Sequence, residues 1–186
     1  MNTNIGLCAI AALSLALSLS LSAKEAQQDI YISDNELERV SVKWIEPKSF
    51  TDVREPNFSS EKFRRHVFSQ LEKHLDKLAK DLPEGQLLSV SVSDVDLAGR
   101  IEPASFVGLS RSMEDIRILR NVDIPRIEFA YELLDENGNV LRSEEVSLKN
   151  MGYLHGSGIS SRNKPFVHEK KMLSKWFAKN IIDEKA

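Results

Sequence analysis

One long run of apolar residues at three- and four-residue steps constrains the fold of this chain more than any other feature. The run extends from Phe63 to Leu82 and predicts an amphipathic helix with one buried face. Ser59 or Ser60 can cap its beginning, and the proline and glycine that follow Leu82 end it. The buried face comprises Phe63, Val67, Leu71, Leu75, Leu78 and Leu82. Such a face must pack against other elements of the fold.

Residues with period-two alternation lie on both sides of this helix. Residues 40–44 alternate apolar with polar side chains before it, and residues 88–92 do so after it, which predicts two half-buried strands. The parity changes near Ser93, which suggests a β-bulge or a twist. Strand, helix and strand form a natural right-handed crossover if the two strands lie side by side.

The second half of the chain adds a hairpin and a final helix. Residues 127–133 alternate, residues 135–139 are typical of a hairpin turn, and residues 140–148 return with Glu144 and Glu145 indicating an edge. Residues 116–118 suggest a short strand, and residues 166–181 a helix after Pro165. The pattern predicts an α+β fold: a twisted mixed sheet of about four strands with two amphipathic helices packed on one face, in the order β-α-β-β-β-α.

The first 23 residues contain no charged side chain and are apolar from Ile5 onward. This composition is typical of an export signal, with cleavage expected near Ser22 or Ala23. A retained amino-terminal anchor is the alternative, because no lysine or arginine precedes the apolar run. We therefore expect a periplasmic protein with no transmembrane segment after signal removal. Its parts are a signal peptide (1–23), a polar extension (24–39), a single α+β domain (40–182) and a short tail (183–186).

Cys8 is the only cysteine and lies inside this leader. Once the leader is removed, the chain can form no disulfide, no cysteine-based zinc site and no cysteine nucleophile. The formal net charge of −3 is too small to imply a partner. We expect no nucleic-acid partner, because no aromatic stacking platform is visible and the compartment holds little nucleic acid. The sequence leaves the oligomeric state open.

A group of charged residues around one strand end forms the first candidate site. Asp94 and Asp96 are two residues apart, so they share one face of the strand at a separation of about 6.6 Å along the backbone. They could hold a hard cation or divide acid and base roles, or they could simply be solvated or bond to backbone amides where the ladder breaks. Asp52, Arg54 and Arg100 could lie nearby, in a network that serves structure as readily as binding.

The remaining motifs favour a non-catalytic role. The four histidines, at positions 66, 74, 155 and 168, form no metal-binding template. Neither a nucleophile elbow nor a phosphate-binding loop is present, so we expect no cofactor.

The last helix is basic and forms a second candidate site. Its cations could contact an anionic glycan, lipid headgroups or an acidic protein, in which case binding weakens steeply with salt. The alternative is a solvated helix face with lysines favouring its carboxyl end. The residues are Arg162, Lys164, Lys170, Lys171, Lys175 and Lys179.

Five segments in a fixed order resemble one family. They are FTDVR at 50–54, LPEGQLL and DVDLAG within 82–99, PRIEFAYEL at 125–133 and EKKMLSKWF at 169–177. Together they resemble the DUF3016 family, a domain of unknown function found in exported proteobacterial proteins, over most of the mature chain. The resemblance implies an exported envelope protein and brings no catalytic residue, ligand or partner.

We therefore expect a non-catalytic binding or assembly module of the cell envelope, with an envelope protein or glycan as partner. A metal-binding protein or metal-dependent enzyme centred on Asp94 and Asp96 is one alternative, and a peripheral binder of anionic surfaces through the basic helix is another. A concave pocket at the Asp94–Asp96 end would favour a ligand or catalysis, whereas a continuous apolar patch would favour protein assembly.

Overall fold

A five-stranded mixed sheet with two helices forms the framework of the protein. The structure is a computed structural model that describes residues 28–56, 58–109, 114–155 and 164–182. The leader, the tail at 183–186 and Arg162 lie outside the described residues.

The elements follow one another in a βαβ unit, a small two-stranded sheet, a hairpin and a final helix. The strand order in the main sheet is β1-β2-β3-β6-β7, and β4 pairs with β5 separately. Strands β2 and β3 are parallel, whereas the other pairs are antiparallel. The bounds are β1 Ile30–Tyr31, β2 Val40–Ile45, α1 Ser60–Ala79, β3 Leu87–Asp96, β4 Arg100–Glu102, a 3-10 turn at Ala104–Val107, β5 Ile116–Ile118, β6 Arg126–Leu134, β7 Val140–Lys149, α2 Val167–Trp176 and a π-helical turn at Phe177–Ile182.

The mixed α+β class is confirmed, but the expected count of about four strands is wrong. The main sheet has five strands because β1, only two residues long, adds to the free edge of β2. The two-stranded sheet was not predicted, although its second strand, β5, lies at residues 116–118, where the sequence suggested a short strand. Strands β1 and β4 have two and three residues, which are too few to establish a period-two pattern.

The helices cover one face of the sheet, and the other face is polar. Val42, Val90 and Tyr131 lie side by side across three strands and are all buried. The positions between them alternate to the opposite face and include Ser41, Ser89 and Glu132. On the covered face, Trp44 stacks on Phe68 of α1 with ring centroids 3.9 Å apart. The period-two and helical patterns therefore agree on a single core.

Two local predictions are confirmed by the backbone. The register of β3 and β6 shifts between Val92 and Asp94, where Ser93 forms the predicted bulge. Ser59 caps α1, because its side chain accepts a hydrogen bond from the Lys62 amide.

Among the described residues, no helix combines the length and the apolar character needed to cross a bilayer.

Glu72 is a buried acid in the centre of α1. Its side chain is fully shielded from solvent, and Oε1 accepts a 2.7 Å hydrogen bond from the Trp44 indole. Oε2 accepts hydrogen bonds from Ser33 and Asn35. A buried carboxylate needs such donors, because removal from water is otherwise costly. Glu72 thereby fixes the segment before β2, as well as β2 itself, onto α1.

We expect Glu72→Ala to lower the free energy of unfolding by about 2–4 kcal/mol, because it leaves the buried Trp44 N–H unpaired and removes the acceptor of Ser33 and Asn35. Urea unfolding followed by tryptophan fluorescence measures this change. Glu61→Ala on the same helix is the matched control, since Glu61 is exposed and its replacement should change stability by less than about 0.5 kcal/mol. Equal stabilities of the two variants would contradict the role of Glu72.

Candidate functional site

A polar cleft opens where β3 ends, with a volume of about 260 Å³. Four of the five residues expected at this strand end line it: Asp52, Arg54, Asp96 and Arg100. The fifth, Asp94, does not. We call this depression the polar cleft; its lining residues are Thr51, Asp52, Arg54, Asp96, Gly99, Arg100, Val122, Asp123, Ile124 and Arg126.

The backbone places Asp52 beside Asp96. The loop before α1 makes a parallel bridge to the end of β3, in which the Asp52 amide donates to the Val95 carbonyl at 3.3 Å. The Leu97 amide donates to the Asp52 carbonyl at 3.5 Å. The loop thus behaves as a short extra strand, and two aspartates that are 44 positions apart in the sequence share one cleft.

Arg117 of β5 fixes the wall of the cleft, and the sequence interpretation did not include it. Its guanidinium donates to Asp52 Oδ2 at 2.8 Å and to Glu55 Oε2 at 3.2 Å. It also donates to the carbonyls of Gly99 and Arg54, at 3.2 and 2.7 Å. Burial alone would lower the pKa of Arg117, but the bonds to Asp52 and Glu55 outweigh it and the net shift is upward. Arg117 is therefore a fixed positive charge inside the wall.

Gly99 makes the turn that brings β4 back along the cleft. Its φ is +82°, and a Cβ at this position would lie 2.5 Å from the Ile118 carbonyl oxygen. Only glycine has both the backbone freedom and the small size that this turn requires.

Asp94 has a structural role in this arrangement. Its Oδ1 accepts a hydrogen bond from the Thr51 amide and its Oδ2 accepts one from the Thr51 hydroxyl, both at 2.7 Å. These bonds fasten the loop before α1 to the bulge in β3. Within the described ranges, no group of three histidine, cysteine or carboxylate side chains is arranged to hold a metal ion. The metal alternative centred on Asp94 and Asp96 stays a prediction.

The arginines at the rim are loosely paired. Arg54 lies 3.4 Å from Asp52, and Arg126 lies 3.8 Å from Asp96. Arg100 is exposed and has no ion pair with any described residue. The sequence analysis also did not include Arg126 in this site. It could have done so, because antiparallel pairing of β3 and β6 places Arg126 directly opposite Asp96.

The acids of the cleft are partly neutralised. Asp52 bonds to Arg117, and Asp123 pairs with Arg120 at 2.7 Å. The pKa of Asp96 is raised, first by burial and then by the neighbouring charge of Asp52, with Arg126 acting in the opposite direction. The exposed charge at the mouth of the cleft is consequently dominated by guanidinium groups.

Three other depressions have different chemistry. A groove of about 590 Å³ on the open face of the sheet is lined by serines together with Glu128 and Glu145, and no basic residue of the described part of the chain lines it. A largely apolar cleft of about 240 Å³ includes the buried Glu169, whose pKa is raised by that burial and which accepts a 2.8 Å hydrogen bond from the Ala98 amide.

The third depression lies beside α1 and has a volume of about 220 Å³. It is lined by Lys48, Arg64 and Arg65, but Asp29 pairs with Lys48 and Glu61 pairs with Arg65. None of the three depressions repeats the rim of three arginines at the polar cleft.

The basic helix keeps most of its cations in solvent. Lys164, Lys171, Lys175 and Lys179 are exposed, whereas Lys170 donates to Gln70 of α1 at 2.8 Å. Binding of an anionic surface through this helix stays a prediction, and Arg162 lies outside the described residues.

His74 of α1 is one histidine whose role the sequence did not reveal. Its Nε2 lies 2.9 Å from the Lys170 carbonyl and 2.8 Å from the Ser174 hydroxyl, both on α2. Ser174 itself donates to the Lys170 carbonyl. His74 and Ser174 join the two helices, and neither residue lines any of the clefts described above.

We expect Asp94→Asn and Asp96→Asn to change stability in opposite directions at neutral pH. Asp94→Asn removes one acceptor from Thr51 and should cost about 1 kcal/mol. The raised pKa of Asp96 means that its ionisation opposes folding. Asp96→Asn should therefore raise stability at pH 7, and the gain should fade as the pH falls towards the ordinary value of 3.8. Urea midpoints of both variants across this pH range measure the effect, and a pH-independent difference for Asp96→Asn would contradict it.

The comparisons with known proteins give a family and no function. No curated protein and no solved structure matches the chain. One family, described as "Protein of unknown function (DUF3016)", matches residues 38–179, which include α1, α2 and every residue that lines the polar cleft. Since this match covers most of the sequence, the chain belongs to the DUF3016 family.

Proposed function

We propose that this chain is an exported envelope protein that acts as a non-catalytic binding module, and that its polar cleft binds an anionic group of an envelope glycan. The single observation that supports the ligand class is a set of three arginines around the cleft. Arg54 and Arg126 are loosely paired, and Arg100 forms no ion pair with a described residue. A planar guanidinium with free donors matches the carboxylate of a uronate or a phosphate.

The balance of charge supports an anion over a cation. Asp52 is held by Arg117 and Asp123 by Arg120, so both acids have their charge matched within the protein. A cation would compete with Arg117 for Asp52, whereas an anion meets arginines that have unused hydrogen-bond donors. Arg100 has the most unused donors, because no described residue forms an ion pair with it.

The lining of the cleft supports binding without catalysis. Thr51 is the lining residue with a hydroxyl, and it donates that hydroxyl proton to Asp94. Among the described residues, the lining has no histidine, serine or lysine that could act as a base or a nucleophile beside Thr51. Asp52 is occupied by Arg117, which leaves it poorly suited to abstract a proton.

The amino-terminal sequence supports the exported, periplasmic location. The first 23 residues lack charge and end in small side chains, and a strongly charged sequence follows them. The family resemblance agrees with this location, because its members typically have export signals.

We expect Arg100→Gln to weaken the binding of glucuronate and of inorganic phosphate about tenfold, which corresponds to the loss of roughly 1.4 kcal/mol from one exposed charge-assisted contact. Isothermal titration calorimetry at low ionic strength measures it, with glucose as the uncharged comparison. Arg64→Gln on α1 is the matched control, since Arg64 lies outside the polar cleft. The proposal fails if neither anion binds, or if Arg64→Gln weakens binding as much as Arg100→Gln does.

We expect the exported protein to begin at Ala23 or Lys24 and to be found in the periplasmic fraction. Leu13→Arg places a charge inside the apolar run and should leave the uncleaved precursor in the cytosol. Gln27→Arg adds the same charge just after the cleavage region and should not affect export. Cell fractionation with intact-mass spectrometry distinguishes these outcomes, and an intact Met1 on the exported chain would refute cleavage.

A further inference from the structure

The edge formed by β7 is long and open. Strand β7 has ten residues and pairs with β6 on one side, and no described residue pairs with its other side. The opposite edge of the sheet, β1, has only two residues. Alternate amides and carbonyls of β7 therefore point away from the sheet, and such an edge is a template for another strand.

We propose that a second copy of this chain occupies that edge, with the two β7 strands antiparallel and Ser143 on the twofold axis. This inference is independent of the polar cleft. In an antiparallel pair related by a twofold axis, directly opposed residues lie on the same face of the sheet. Each possible register is therefore centred on one residue, and the charges of β7 distinguish among the registers.

The register centred on Ser143 pairs opposite charges. It places Arg142 of each copy opposite Glu144 of the other, so the contact occurs twice. Arg142 and Glu144 already form a 2.7 Å ion pair within one chain, and pairing of two copies makes a four-charge cluster of alternating sign.

The neighbouring registers place like charges together. Centring on Arg142 would oppose two guanidinium groups, and centring on Glu144 or Glu145 would oppose two carboxylates. Like charges directly opposite one another destabilise a strand pair. The same side chains that protect the edge against general aggregation therefore exclude these registers and favour the one centred on Ser143, which pairs opposite charges.

Two large apolar residues at the start of β7 are exposed. Val140 and Leu141 are 53% and 51% exposed, which is unusual for large apolar side chains at neighbouring positions of a strand. The pairing of β7 with β6 shifts register between Arg142 and Val140, so the strict alternation of faces ends there. A second copy paired about Ser143 runs alongside this end of β7. The contact removes from water a surface that the single chain leaves exposed.

Cysteine crosslinking tests the register directly. In the full chain with Cys8→Ser, an introduced cysteine is the only thiol. Ser143→Cys should form a disulfide-linked dimer on mild oxidation, because the axis brings the two Cα atoms to about 4.5–5.5 Å. Ser147→Cys, on the same face of β7, and Ser89→Cys, in the central strand β3, are controls that should remain monomeric.

Sedimentation equilibrium over a concentration series tests the dimer without crosslinking. The parent protein should shift from monomer to dimer as its concentration rises. Glu144→Arg should abolish the dimer by opposing two arginines, and Arg142→Glu with Glu144→Arg should restore it, since the exchanged charges again alternate. Circular dichroism confirms that each variant is folded. A parent protein that is monomeric at every concentration, or a crosslink at position 147 in preference to 143, would overturn the proposal.

Discussion

The buried guanidinium of Arg117 is the contact on which the arrangement of the candidate site depends. One side chain on a three-residue strand bonds to the Asp52 and Glu55 carboxylates and to the carbonyls of Arg54 and Gly99. These partners belong to the loop before α1 and to the turn after β3, so Arg117 joins three segments of the chain. Removal of one partner from a buried ion pair typically costs about 3–5 kcal/mol. Any other arrangement of the wall would lose these bonds, so the contact favours a single geometry. Through these bonds β5 is fastened to the loop before α1 and to the end of β3.

This arrangement separates charges that build the cleft from charges that face solvent. Asp52 and Arg117 satisfy each other inside the wall, at side-chain exposures of 14% and 15%. Arg54, Arg100 and Arg126 lie at the rim. A ligand can replace water at these exposed guanidinium groups with little cost in desolvation. Asp96 lies between the two groups, and its raised pKa favours its neutral form as the pH falls. A neutral Asp96 no longer competes for Arg126, so the electrostatic attraction for anions should increase as the pH falls.

The sequence predicts those parts of the molecule whose signal is periodic and local. Three features follow from residues that are close together in the sequence: the apolar face of α1, the bulge at Ser93 and the hairpin between β6 and β7. Glu72 has no such signal, because its burial depends on Trp44, Ser33 and Asn35, which lie 28 to 39 positions away. Four of the five charged residues expected near the end of β3 do share a cleft, whereas Asp94 is turned towards Thr51 by the bulge. Arg117 was missed because nothing in its own strand distinguishes a buried arginine from an exposed one.

The two proposals have a joint consequence for how a polymeric ligand would be held. Arg126, at the cleft end of β6, pairs with Lys149 at the end of β7, six residues beyond the proposed axis at Ser143. Two antiparallel β7 strands would therefore separate the two clefts by roughly 40 Å along the strand direction. A glycan with repeated anionic groups could span that distance and occupy both clefts, so the second binding event would be intramolecular. Modest affinity of each exposed arginine cluster for one uronate or phosphate is then compatible with strong retention of a polymer. Loss of the β7 pairing should reduce binding of the polymer while leaving the affinity for a single sugar acid unchanged.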